Sequence, residues 1–271
     1  MIISKIIIMR KSLIKTGICL ATLGIMLLAN NVEARTFNKA KINKTTIIKD
    51  TVVGKHVLEI QNKKVRDHFA TAVPKEAQTI MTNGINEVAH SSLIKNTIKV
   101  GDKAIDFTLT NAVGKKVNLY DMLKKGPVVL TWYRGGWCPF CNLQLQYLQN
   151  SLESYKELGA NIIAISPEKP DSSLSTIEKH KLEFEVLTDS KNITGKKYGL
   201  VYKLSKKLND LYKKSFHIDL DKINDHAPNE LPVPATFVID QKGIIKYVFI
   251  DADYTRRAEP FDILEVLEKI K

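Results

Sequence analysis

The stretch PVVLTWYRGGWCPFC, residues 127–141, decides the fold. Val128-Val129-Leu130-Thr131-Trp132-Tyr133 is a continuous apolar run of strand length, as expected for a strand buried on both faces. Gly135-Gly136 ends it in a loop. Pro139 suits the first helical position, where its missing N–H would have no partner. Leu145, Leu148, Leu152 and Tyr155 then form one apolar stripe, and Gly159 closes it, so the pattern predicts a helix from about 139 to 158. Cys138 thereby falls at a helix N-terminus, beside free backbone N–H groups and the positive end of the dipole. That environment favours thiolate, so Cys138 is expected to be the more acidic and more exposed of the two thiols. Cys141 lies one turn into the helix, within reach of Cys138.

The same texture continues on both sides. Upstream, Ile105–Leu109 and Lys115–Leu119 read as a hairpin around Val113-Gly114. Downstream, strands over Ile162–Ser166 and Phe184–Leu187 alternate with helices over Asp171–His180, capped by Asp171 or Ser172, and Asn192–Tyr198. Residues 203–231 are a polar insertion with a weak helical pattern. Ala235–Asp240 and Ile244–Ile250 are strands joined at Lys242-Gly243, and Glu259–Ile270 is a terminal helix. Alternating strands and helices predict an α/β fold: a central mixed β-sheet with helices on both faces over residues 99–271. In front of it, residues 35–98 combine a polar linker with a helical extension. There Leu58, Val65, Phe69 and Ala72 fall at helical spacings, Pro74 opens a second helix, and Asn83-Gly84 interrupts it.

Residues 1–34 carry the marks of a secretory signal peptide. Lys5, Arg10, Lys11 and Lys15 precede an apolar run from Ile18 to Ala29, and Val32-Glu33-Ala34 forms a cleavage site. The expected location is therefore exported, periplasmic or secreted. An uncleaved anchor is the alternative, but the run is short for a membrane span. Cleavage would remove four basic residues and one acidic residue, lowering the formal charge from +12 to +9. The lysines are spread along the chain without an aromatic-interleaved basic run, which argues against nucleic-acid binding. Cys19 lies in the apolar run, so Cys138 and Cys141 are the only thiols expected to remain.

Three readings of Cys138-Pro139-Phe140-Cys141 compete. Structural zinc needs four ligands, and this motif supplies two. A structural disulfide across so short a loop constrains the unfolded chain little. A redox-active pair at a strand-to-helix turn fits the spacing, the position and the export signal together.

At these residues the chain resembles a known superfamily. WCPFC is similar to thioredoxin-fold redox sites, with a glutaredoxin-like Pro-Phe between the cysteines. VGDKAIDFTLTNAVGKKVNLYDML, GPVVLTWYRGGWCPFC and LPVPATFVIDQKGIIKYVFI resemble successive segments of peroxiredoxin-like proteins (alkyl hydroperoxide reductase / thiol-specific antioxidant). The resemblance covers about 170 of 271 residues and points to their Cys-x-x-Cys subgroup. It implies a thioredoxin-like fold and a thiol-dependent peroxidase, with a hydroperoxide as substrate, a thioredoxin-like dithiol as reductant and no metal or organic cofactor. Cys138 aligns with the peroxide-attacking cysteine, and Cys141 would resolve it. The family's Pro-x-x-x-Thr-x-x-Cys pattern is not kept: Thr131 and Gly135 occupy the Pro and Thr positions. The family's strand Arg is replaced by about Pro234, the place of a cis proline in thioredoxins. Val233-Pro234 is accordingly expected to be cis and beside Cys138, and an exported disulfide exchanger is the alternative function.

Other residues are read as follows. Arg134 either replaces the absent Arg or is a solvated loop residue. Trp137 either shields the thiolate or packs. Arg256 and Arg257 either face an acidic partner or, as expected, form a solvated pair. His217 and His226 belong to the surface, and Asp251 and Asp253 to a loop.

Overall fold

A computed structural model describes residues 55–271. The expected signal peptide and the linker up to residue 54 lie outside the described residues. The helices are α1 (Val57–Ala72), α2 (Lys75–His90), α3 (Leu119–Leu123), α4 (Pro139–Asn150), α5 (Leu152–Glu157), α6 (Pro170–His180), α7 (Ile193–Lys197), α8 (Lys206–Ser215), α9 (Leu220–Ile223) and α10 (Pro260–Lys269). The strands are β1 (Thr108–Asn111), β2 (Lys116–Asn118), β3 (Val128–Trp132), β4 (Asn161–Ser166), β5 (Glu185–Thr188), β6 (Val201–Lys203), β7 (Glu230–Pro232), β8 (Ala235–Ile239) and β9 (Ile245–Ile250).

Seven strands form one mixed sheet in the order β2-β1-β5-β4-β3-β8-β9. β3 lies near its middle, parallel to β4 with Leu130 opposite Ile163, and antiparallel to β8 with Leu130 opposite Phe237. All five β3 residues are buried. Val128, Leu130 and Trp132 face a core shared with Leu119, Leu123, Tyr198 and Phe237. Val129 faces the opposite core, with Leu148, Tyr155, Ile263 and Leu267. Burial of both sets of alternating side chains explains the unbroken apolar run in the sequence. The arrangement is the expected thioredoxin-like one.

Several elements differ in detail from the sequence expectation. The predicted helix over 139–158 is two helices, α4 and α5, joined at Ser151. α6 begins at Pro170 with Lys169 at its N-cap and no side-chain cap, rather than at Asp171 or Ser172. Asn83-Gly84 does not interrupt α2. A Cβ at residue 84 would sit 2.7 Å from a methyl carbon of Leu208, so glycine there lets α8 approach the helix. Residues 203–231 are also more ordered than a polar stretch suggests. α8 buries Leu208, Leu211 and Tyr212, and the β6–β7 ribbon closes the base of the insertion. α1 packs on α4 and α2 packs on α8, so the extension and the insertion meet over the cysteine loop.

Candidate active site

The loop between β3 and α4 carries the cysteines. Cys138 is the N-cap of α4 and Pro139 its first residue, as expected. Three buried polar side chains fix α4 against the sheet: the Thr131 hydroxyl contacts Thr236 Oγ1 at 3.1 Å, and Gln144 donates to the same Thr236 oxygen at 3.0 Å. Below the loop, Gly136 N–H donates to Glu168 Oε2 at 3.0 Å, and Asn142 donates to Gly136 O at 2.9 Å. A Cβ at Gly135, whose φ is +154°, would lie 2.3 Å from Trp137 Nε1 and 2.9 Å from Glu168 Oε1. The family's Thr has no room there.

Both thiols are buried, at 1% exposure for Cys138 and 0% for Cys141, which corrects the expectation of an exposed Cys138. They differ in access. Cys138 lines an apolar pocket with Trp137, Phe140, Tyr212, Phe216 and Tyr254, whereas Cys141 does not reach it. They also differ in their donors. Arg134 Nη1 is 3.8 Å from Cys138 Sγ. Cys141 Sγ is 3.3 Å from Arg257 Nη2 and 3.5 Å from the Arg134 backbone N. Burial pushes both thiols up. For Cys138 that effect prevails, reinforced by the neighbouring Cys141. For Cys141 it is overcome by the neighbouring Cys138, by both guanidiniums and by the Arg134 N–H, leaving it well below the usual thiol range. Two donors reach Cys141 and one more distant donor reaches Cys138, so a negative charge on the pair is favoured at Cys141. That runs against the expectation that Cys138 is the more acidic thiol: an arginine and a tertiary N–H at Cys141 compete with the helix N-terminus at Cys138.

Arg134 is no solvated loop residue. It is 1% exposed, with its guanidinium carbon 3.9 Å from the Tyr254 ring centroid, 4.8 Å from that of Trp137 and 5.6 Å from that of Tyr212, and it donates to Tyr212 Oη. Trp137 packs edge-on against Tyr212, 5.7 Å between centroids, at the rim of the pocket. Arg257 is 5% exposed and also corrects the expectation of a solvated pair; only Arg256 is exposed, 3.2 Å from Asp251. The loop that delivers Arg257 is shaped by Asp251 and Asp253, which accept from the backbone N–H groups of Asp253 and Thr255 at 2.9 Å each. Arg257 in turn donates to the carbonyls of Tyr254 and Arg256, fixing its own orientation.

Pro234 differs most from expectation. No peptide bond among the described residues is cis, Val233-Pro234 included. The chain runs directly from β7 into β8, with Val233 N–H held by Leu200 O at 2.8 Å, and offers no turn for a cis bond to serve. Pro234 precedes Ala235, which pairs with Trp132, and it is not among the residues lining the pocket around Cys138. His217 and His226 are exposed, as expected.

Residues 100–248 match the AhpC/TSA family. A Buchnera aphidicola protein named "Putative peroxiredoxin bcp" is 34% identical over 134 residues, 47% of this chain and 84% of that protein. The chloroplastic peroxiredoxin Q of Populus jackii is 30% identical over 166 residues, 60% of this chain and 67% of its own. The thiol-disulfide oxidoreductase ResA of Bacillus cereus is 30% identical over 105 residues, 38% of this chain and 60% of ResA. Among solved structures, peroxidoxin BcpB from Mycobacterium tuberculosis superposes with a TM-score of 0.50 at 21% identity, covering 64% of this chain and 99% of that one, which supports the fold. With its thioredoxin-like sheet and its cysteine loop at the strand-to-helix junction, the chain belongs to the AhpC/TSA family.

Proposed function

We propose that this protein is a thiol peroxidase that reduces hydroperoxides through Cys138 and Cys141, and that a thioredoxin-like dithiol regenerates it. The observation that carries the reading is the pairing of one pocket-facing sulfur with one enclosed sulfur, each beside a buried guanidinium. Cys138 passes its proton to Cys141 and attacks the distal peroxide oxygen. The O–O bond breaks, the alkoxide takes the proton back from Cys141, and Cys138 becomes sulfenic acid. Cys141 thiolate then attacks the Cys138 sulfur and expels hydroxide, which is protonated to water. A dithiol reduces the disulfide by exchange. Arg134 supplies the charge that the family's strand Arg would supply, and loss of one such donor typically costs about 10²–10³-fold in rate.

Stopped-flow oxidation of the reduced protein by hydrogen peroxide and by an organic hydroperoxide tests the reading. Cys138→Ser is expected to abolish turnover. Cys141→Ser, which also removes the proton acceptor for Cys138, should slow oxidation and leave a sulfenic acid trappable by dimedone, and Arg134→Ala should slow oxidation about 10²-fold. A wild-type rate no greater than that of free cysteine would shift the assignment to protein disulfide exchange. That second reading is supported by the likeness to ResA, and insulin reduction distinguishes it. The trans Val233-Pro234 bond lends it no support. The proposal places the activity outside the cytoplasm, on the strength of the signal-like segment 1–34.

A further inference from the structure

Two cations are buried at the cysteine pair, and no carboxylate among the described residues lies within ion-pair distance of either. Among the described residues neither Arg134 nor Arg257 forms an ion pair with a carboxylate, and the Nε of each is buried without a partner. The phenols around Arg134 cannot neutralise it. Burial pushes Tyr212 and Tyr254 upward and Tyr202 to about 12, so all three stay neutral at pH 7. The other groups facing the pair are Tyr133, also neutral, and Glu168, whose carboxyl is committed to Gly136 N–H and is pushed by burial to about 7.

This charge arrangement distinguishes the two redox states. The disulfide is neutral and leaves both guanidiniums uncompensated in a buried site, which is costly. Reduction consumes two electrons and places a thiolate between them: disulfide plus a dithiol R(SH)2 gives one enzyme thiolate, one enzyme thiol, the cyclic disulfide of R and one released proton. We propose that Arg257, acting on Cys141 together with Arg134 on Cys138, makes this pair a strong oxidant, held reduced by thiols of ordinary glutathione poise and not dependent on a strongly reducing partner. Arg257 is a catalytic residue in this step, because it touches the sulfur that leaves as thiolate when a reductant attacks Cys138. The inference rests on the redox reading of the pair but not on peroxide being its oxidant.

Equilibration of the purified protein in glutathione buffers at pH 7, with the thiol state read by alkylation and mass shift, tests it. The wild type is expected to be mostly dithiol in buffers that leave thioredoxin oxidised. Arg257→Met, which replaces the apolar stem and loses the guanidinium and its charge, should move the equilibrium constant about 10- to 100-fold toward the disulfide, or about 30–60 mV. Arg257→Lys should recover part of that shift, which a purely structural role would not predict. An Arg257→Met protein with wild-type melting and an unchanged constant overturns the proposal. A second measurement covers an Arg257→Met protein that does not fold. Reduced wild-type protein, and not its Cys141→Ser variant, should retain thiolate absorbance at 240 nm below pH 6; absence of that band at pH 7 also overturns the proposal. Neither measurement uses peroxide, so a protein without peroxidase activity would refute the peroxidase reading and leave this one to stand or fall by itself.

Discussion

At the scale of single residues, the site departs from simple helix-terminus chemistry through side chains distant in sequence. Glu168 is an example. Its carboxyl is 2% exposed, and burial raises it from an ordinary 4.5 to about 7. The folded state therefore binds a proton more tightly than the unfolded chain. Stability is expected to fall as pH rises from about 4.5 to 7 and then to level off, with a total loss of about 3 kcal/mol. Glu168→Gln keeps an acceptor for Gly136 N–H and removes the titration. Urea unfolding at pH 5 and pH 8 should show the variant losing less stability across that interval than the wild type; identical pH profiles would contradict the assignment. The residues that carry the proposed chemistry were unequally legible. Cys138 and Cys141 declare themselves by spacing and by their place after a buried strand. Arg134 was visible as a candidate because it adjoins them. Arg257 lies 116 residues from Cys141, and its Arg-Arg context reads as solvated charge. Only the return of the 251–257 loop, held by its own aspartates, shows that one arginine turns inward while the other stays outside.

At the scale of elements, the strand-to-helix loop is shaped by what lies beneath it. In the family pattern a Thr would stand at 135, and by that pattern restoring it completes a peroxidase site. The geometry predicts the reverse. Its Cβ would fall within 2.3 Å of Trp137 Nε1, and a φ of +154° is unfavourable for a β-branched residue. Trp137 would have to leave the rim of the pocket, carrying the Cys138 backbone with it. A displacement of about 1 Å at a reacting centre can cost about 10²-fold in rate, so Gly135→Thr is expected to slow oxidation by peroxide by that order, with Trp137 fluorescence altered. Oxidation as fast as wild type would show that the loop has slack. The central strands and helices were readable because period 2 and period 3.6 dominate their sequences. The insertion was not. α8 shows its apolar stripe only as Leu208, Leu211 and Tyr212 among lysines, and its tertiary partner is Gly84 of α2, which looked like a helix breaker. A glycine chosen for close approach and a glycine chosen to end a helix are identical in a single sequence.

At the scale of the whole molecule, the extension completes the site although it lies before the residues that match the family. Phe69 of α1 and Met81 of α2 line the same pocket as Cys138, opposite Phe216 and Ile218 from the insertion. The pocket wall thus depends on how firmly α1 is held. Its N-terminus has no side-chain cap from its own N-cap residue, His56. Glu259, about 200 residues away and just ahead of α10, takes that role instead, accepting from Leu58 N at 3.1 Å and Glu59 N at 2.7 Å. The carboxylate satisfies two of the four orphan N–H groups of the helix and complements the positive end of its dipole. Cap removal typically costs about 0.5–2 kcal/mol. In Glu259→Ala that loss should fall on α1 in preference to the sheet, because β3 and its neighbours keep every contact. Amide hydrogen exchange is expected to accelerate along α1 by about 2- to 30-fold, the same range expressed as an opening equilibrium, while the amides of β3 and β4 keep their protection. Peroxide oxidation should slow in the same variant, since Phe69 leaves the pocket wall while Cys138, Cys141 and both arginines stay in place. Faster exchange in α1 with an unchanged rate would make the extension a cover and not part of the site, and unchanged exchange in α1 would deny Glu259 its capping role.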